Sequence, residues 1–99
     1  APLCRAFIAA PDVRQTPEAW AERLHMSPRT FSRHFRQQTG MAFSEWRQRA
    51  CVVLALARLA AGAPVTAIAL DFGYQSPAAF STMFRRVLGR PPTSYLRAQ

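Results

Sequence analysis

The side chains with most to offer chemically are arginines set at helical intervals. Arg29, Arg33 and Arg36 fall on one side of a segment whose opposite side carries Phe31 and Phe35. Further on, Ala78, Thr82 and Arg85 share a stripe opposite Phe80 and Phe84, and Arg86 follows directly. A guanidinium is always charged and offers a planar fork of donors that fits a phosphate bidentately. Lined up on an amphipathic helix, such groups form the electrostatic footprint of a phosphate backbone. This is recognition chemistry, in which no bond is made or broken. No Ser-His-Asp grouping, carboxylate pair or glycine-rich phosphate loop is discernible in the chain. His25 and His34 read as structural. Cys4 and Cys51 are too few and too far apart for a metal site, so no metal and no cofactor is expected and the two read as free thiols.

The arginines are positioned by a stretch that the chain spells twice. Ser27–Gly40, SPRTFSRHFRQQTG, returns 49 places later as Ser76–Gly89, SPAAFSTMFRRVLG, with seven of fourteen positions identical. Each copy opens on Ser-Pro, a serine able to cap and a proline with no N–H to leave unpaired. Each closes on a glycine, the usual residue just past a helix. A short amphipathic segment precedes each copy, Thr16–His25 and Thr66–Phe72, with Thr16 expected to cap the first and Thr66 to open the second. Supporting helix, tight turn and capped helix with a polar outer stripe make the helix-turn-helix pattern. Two hairpins that merely pack a core would account for the phenylalanines and leave the arginine stripe unexplained.

The charge follows the repeat. The net charge is +8, and all 13 basic residues are arginine. Residues 1–26 cancel, with Arg5, Arg14 and Arg23 against Asp12, Glu18 and Glu22. Residues 50–75 cancel through Arg58 and Asp71. The excess lies in 27–49, where Arg29, Arg33, Arg36, Arg47 and Arg49 face Glu45 alone, and in 76–99, where Arg85, Arg86, Arg90 and Arg97 face no acid.

The remaining segments read as scaffold for the pair. Ninety-nine residues make one compact domain or two small lobes sharing a helix. No apolar run is long enough to span a bilayer, and no signal peptide opens the chain. Ala1–Ala10 predicts a first helix with Leu3 and Phe7 facing inward, stopped by Pro11. Asp12–Gln15 is a connector, Trp20, Ala21 and Leu24 are buried, and Met26 fills the first turn. After a joint at Met41–Phe43, Ser44 is expected to cap a long helix reaching about Ala61, stopped by Gly62 and Pro64. That helix is apolar on two stripes: Trp46, Ala50, Val53 and Ala57 on one, Val52, Leu56 and Leu59 on the other. A helix with two apolar sides is normally sandwiched, here between the two units. Its eighteen residues span about 27 Å. With the width of the lobes, that matches the roughly 34 Å between major-groove segments on one face of a duplex. Gly73 supplies the backbone of the second turn. Arg90-Pro91-Pro92 breaks the chain, and Thr93 caps a last turn that packs Tyr95 and Leu96 on the second lobe. The expected fold is all-α: 16–43 as the first helix-turn-helix, 44–62 as the linker helix and 65–97 as the second, with about seven helices in all.

With these residues in view, the chain resembles the DNA-binding domain of the AraC/XylS family of bacterial transcription regulators. The resemblance rests on Met26-Ser27-Pro28, Phe31-Ser32-Arg33, Phe35-Arg36 and Thr39-Gly40, then Ile68-Ala69, Phe72-Gly73-Tyr74, Phe80-Ser81, Phe84-Arg85-Arg86, Gly89, Pro92 and Tyr95. It covers roughly Thr16–Leu96. It implies two helix-turn-helix units on a long helix that read adjacent major-groove segments of double-stranded DNA as one monomer. By position, the base-contacting residues would be Arg29, Ser32 and Arg33 on the first recognition helix and Ala78, Ala79 and Thr82 on the second. Phosphates would be held by Ser27, Arg36, Arg47, Ser76, Ser81, Arg85 and Arg86. Arg29 and Arg33 suit guanine O6/N7, whereas alanine touches a thymine methyl and makes no base hydrogen bond. Most direct readout is therefore assigned to the first helix.

The resemblance also implies partners. RNA polymerase is one, and an N-terminal sensor and dimerisation domain is another, since the chain begins at Ala1 without an initiator methionine and reads as part of a larger effector-responsive regulator. The expected location is the cytoplasm, on the nucleoid. Cys51, Val53 and Leu54 stand where the family more often has polar residues, which fits either a fuller core or a docking patch for that domain. Two rivals bound this reading. One is a thiol-based alkyl-transfer enzyme, a chemistry requiring a metal-held thiolate cluster that two distant cysteines do not make. The other is a basic protein-interaction module, which would bind any polyanion without sequence preference.

Overall fold

A computed structural model describes residues 2–95, so the expected packing of Leu96 and the charge of Arg97 lie outside the described residues. Six α-helices follow in order: α1 Pro2–Ala9, α2 Pro17–Arg23, α3 Pro28–Thr39, α4 Phe43–Ala60, α5 Val65–Asp71 and α6 Pro77–Leu88. A 3₁₀ turn, Pro92–Tyr95, ends the described chain, and no strand occurs among the described residues. The all-α expectation therefore holds.

The sequence repeat becomes a backbone repeat. Ser27 Oγ accepts from Thr30 N at 3.1 Å, and Ser76 Oγ accepts from Ala79 N at 3.1 Å, so each serine caps its helix. At the far ends Gly40 and Gly89 take φ of +79° and +83°. Their N–H groups donate to the Arg36 and Arg85 carbonyls at 2.8 and 2.7 Å. α3 and α6 are both twelve residues long, and α2 and α5 are both seven. In the two turns, Met26 N donates to Ala21 O at 2.9 Å and Tyr74 N to Ala69 O at 3.0 Å. Both turns pass through one left-handed residue, Gly73 at φ +86° in the second and His25 at φ +58° in the first.

Thr16 caps α2 as expected, through Ala19 N at 3.1 Å. Three other helix starts differ from expectation, those assigned to Ser44, Thr66 and Thr93. The N-cap of α4 is Ala42, with Ser44 already inside the helix, because Phe43 is drawn into the first turn to bury its ring. The N-cap of α5 is Pro64, which leaves Thr66 as the second helical residue. The last turn likewise starts at Pro92, with Ser94 N donating to Pro91 O, so Thr93 sits within it and does not cap it. Leu24 is not core: it is the C-cap of α2, where the helix unwinds, and is 43% exposed. Val53, at 65%, and Ala57 face outward as well, and Cys51 and Ala55 take the interior positions on α4 instead.

Two apolar cores result. Leu3, Trp20, Ala21, Phe31, Phe35 and Phe43 form the first. The second gathers Cys51, Val52, Ala55 and Leu59 from α4 against Ile68, Ala69, Phe72, Phe80, Met83 and Phe84, together with Phe7. α4 is therefore sandwiched, with Phe43 serving one core and its later turns the other. Three features tie the lobes. α1 sends Leu3 into the first core and Phe7 into the second. Trp46 packs against both. The connector before α2 straps across to the second unit, where Val13 N donates to Phe72 O at 2.9 Å. Arg47 Nη1 secures that strap by donating to the Val13 and Gln15 carbonyls at 3.1 and 3.2 Å.

Candidate nucleic-acid interface

Burial of the phenylalanines fixes what the two capped helices show to solvent. Phe31, Phe35, Phe80 and Phe84 are all buried. Arg29, Ser32, Arg33 and Arg36 on α3, and Ala78, Ala79, Thr82, Arg85 and Arg86 on α6, are all exposed. The acids are elsewhere. Asp12 pairs with Arg14, Glu45 with Arg49 and Asp71 with Arg58. Among the described residues no carboxylate or hydrogen-bond acceptor engages Arg29, Arg33, Arg36, Arg85 or Arg86. Five guanidinium groups thus present all their donors outward.

The three serines assigned to phosphates are placed unequally. Ser27 and Ser76 spend an oxygen lone pair on their caps, and the Ser27 hydroxyl donates to Thr30 Oγ1 at 2.9 Å. Ser81 is half-buried. Arg47 differs most from its fellow arginines. It is half-buried, with Nη1 committed to the strap and its guanidinium 5.5 Å from the Phe43 ring. It stands beside a cleft of about 440 Å³ between α4 and α6, lined also by Val13, Gln48, Tyr74, Ala79, Thr82, Met83 and Arg86. The cleft unites residues assigned separately from the sequence, Arg47 with Ala79, Thr82 and Arg86. Gln48 was not assigned. The signal for it was its polarity, one turn from Ser44 on a helix read chiefly for its apolar stripes.

Deep in the second core, burial pushes the Cys51 thiol up to about 11, with the Tyr74 hydroxyl as a hydrogen-bonding neighbour and Arg47 as a nearby charge, both working the other way. Burial also raises Tyr74. A thiol is a nucleophile only as thiolate. Native protein treated with a thiol reagent at neutral pH should therefore label the half-buried Cys4, and Cys51 should react only on unfolding. Mass mapping of the label checks this; rapid native labelling of Cys51 would contradict it. Because the folded thiol holds its proton more tightly, its contribution to stability is complete below the unfolded value of about 9 and fades as pH rises through 11. Of the residues that raised the docking alternative, Cys51 is thus core, Leu54 is half-buried against the second core and only Val53 is open to solvent.

Twin capped helices with buried phenylalanines and unpaired outward arginines define a double helix-turn-helix DNA-binding domain. Comparison with known proteins narrows the class. Residues 20–98 match the family model described as a helix-turn-helix domain. The HTH-type transcriptional regulator NimR of Escherichia coli K12 is 39% identical over 77 residues, which cover 78% of this chain and 28% of that protein. The HTH-type transcriptional regulator RipA of Corynebacterium glutamicum is 31% identical over 98% of this chain and 29% of its own. Among solved structures, the DNA-binding domain of AdpA in complex with a target DNA superposes with a TM-score of 0.74 at 38% identity, covering 81% of this chain and 73% of that one. The C-terminal domain of AraT, a response regulator from Geobacillus stearothermophilus, gives 0.76 at 32% identity, covering 81% and 67%. The chain belongs to the AraC/XylS-type helix-turn-helix family and is a sequence-specific DNA-binding domain of transcription regulation. It spans under a third of the length of the curated relatives it matches.

Proposed function

We propose that this domain reads two adjacent major-groove segments of one duplex as a monomer, α3 entering one and α6 the next. Arg29 and Arg33, with Ser32, read bases in the first, and guanine O6/N7 is the acceptor pair that a guanidinium fork fits. Ala78, Ala79 and Thr82 line the second, where contact is with thymine methyls and the hydroxyl supplies one hydrogen bond. Ser27, Arg36, Ser76, Ser81, Arg85 and Arg86 hold phosphates, and Arg47 joins them by its free edge. Within a longer regulator the domain would be preceded by a sensor and dimerisation domain, would touch RNA polymerase, and would work in the cytoplasm on the nucleoid.

The observation that carries this reading is that all five arginines of the two repeated helices are exposed and have no acid partner among the described residues. In vitro site selection tests it. A bipartite motif with its halves one helical turn apart is the expected result, and a pool that stays random while still binding would point to a polyanion-binding module. Arg33→Ala should cost about 1–3 kcal/mol on the selected site and relax preference at one base pair. An unchanged motif for that variant would remove Arg33 from base readout.

A further inference from the structure

The cleft between α4 and α6 has a feature that neither recognition helix has alone: cationic and amide groups from two elements converge on one space. Arg86 comes from the last turns of α6 and carries no acid partner among the described residues. Arg47 and Gln48 come from the second turn of α4. Arg47 is held from behind, because Nη1 is fixed on the Val13 and Gln15 carbonyls, and no partner among the described residues engages Nε or Nη2. Gln48 also borders a second, smaller hollow with Glu45, Arg49, Arg86 and Val87, so it lies between the cleft and the open face of α4. Glu45, the nearest acid of that group, is paired with Arg49 at 3.4 Å.

We infer that this cleft is a seat for a single backbone phosphate, with Arg86 and Arg47 clasping it from two helices and Gln48 donating its side-chain amide. The inference rests on the two-groove reading above. It adds that Arg47 and Arg86, assigned there to phosphates separately, share one phosphate on a strand flanking the groove that α6 enters, and that Gln48 joins them. Charge-assisted hydrogen bonds are the strong ones. A guanidinium already fixed by the strap forfeits little rotational freedom on binding, so its edge is preorganised for an oxyanion. The strap therefore has a second role. By pinning Arg47, the connector Asp12–Gln15 aligns one wall of the seat: the Val13 and Gln15 carbonyls position, and Arg47 makes the contact.

The test uses the selected duplex with single phosphates replaced, one at a time, by neutral methylphosphonates. Wild-type protein should lose affinity about tenfold at one phosphate beside the α6 half-site. Gln48→Ala and Arg86→Ala should each bind the unmodified duplex several-fold more weakly, and each should show a much smaller further loss at that same phosphate. Arg33→Ala should retain the full loss there. Gln48 is half-buried at the rim of the cleft and outside both apolar cores, so its variant is expected to unfold like wild type, and a thermal melt checks that. If every methylphosphonate penalty is the same in Gln48→Ala as in wild type, the seat is overturned while specific DNA binding stands. If no duplex is preferred in the selection, the underlying reading fails first, by a separate measurement.

Discussion

Replacing Trp46 with alanine is expected to remove about 3 kcal/mol of folding stability, the lower end for loss of a large aromatic because the ring is only half-buried. Few residues have so many partners at stake. The indole meets Phe7 edge-on at 5.5 Å, Phe35 at 5.9 Å and the near-parallel ring of Phe43 at 6.4 Å. Phe7 belongs to the second core and Phe35 and Phe43 to the first, so the indole is a shared wall. Its loss opens a cavity where the two lobes join. A second effect follows on DNA. Two modules on a stiff spacer bind with an effective concentration set by how well their spacing matches the site. With the joint loosened, affinity for a bipartite site should fall more than affinity for either half alone. Denaturant titration gives the first effect, and paired measurements on full and half sites give the second. Trp46→Phe should restore most of both. Equal losses on full and half sites would show that the lobes are held together elsewhere.

What could be read in the sequence was whatever has a local cause. Ser-Pro starts, glycine stops and phenylalanines one turn apart are short-range signals, and α3 and α6 emerge where those signals put them. Thr16 was legible for the same reason. Ser44 and Thr66 misled because capping residues are common beside helices whose true first turn is set by something larger. For α4 that is the burial of Phe43, and for α5 it is Pro64 at the cap. Leu24 shows how one position at a helix end can turn an apolar side chain outward. The strap could not be seen at all. Its contacts join residues 34 and 32 positions apart, through backbone carbonyls that carry no side-chain signature. The candidate interface divides along the same line. Arginine stripes are visible as periodicity, whereas the convergence of Arg47, Gln48, Thr82 and Arg86 exists only after α4 and α6 have packed.

The same division makes the turn glycine of the second unit the most sensitive backbone position. Gly73→Ala is expected to cost about 3 kcal/mol, from two sources that can be separated. Alanine at φ +86° bears the left-handed penalty, about 1–2 kcal/mol. Its Cβ would also lie 2.5 Å from Asp12 Oδ1 and 3.2 Å from Arg14 Nε. Retreat of that carboxylate strains its hydrogen bonds, since Oδ1 accepts from Arg14 N and Nε and Oδ2 from Nη2, each at 2.9 Å. Hydrogen bonding to Arg14 also holds the Asp12 carboxyl below its ordinary range, so this lock is intact above about pH 4 and loosens only as the medium becomes more acidic. Gly40, Gly62 and Gly89 have nothing within 4 Å of an added Cβ, and alanine there should cost the conformational part alone. Combining Gly73→Ala with Asp12→Ala should recover the steric share and leave the rest. His25 is the control in the opposite direction: it occupies the matching left-handed place in the first turn, so His25→Gly should raise stability by about 0.5–1 kcal/mol, the strain relieved less the flexibility added to the unfolded chain. Urea midpoints for these variants decide it. Equal costs at Gly73 and Gly89, or no recovery in the double variant, would show that the strap does not press on this turn.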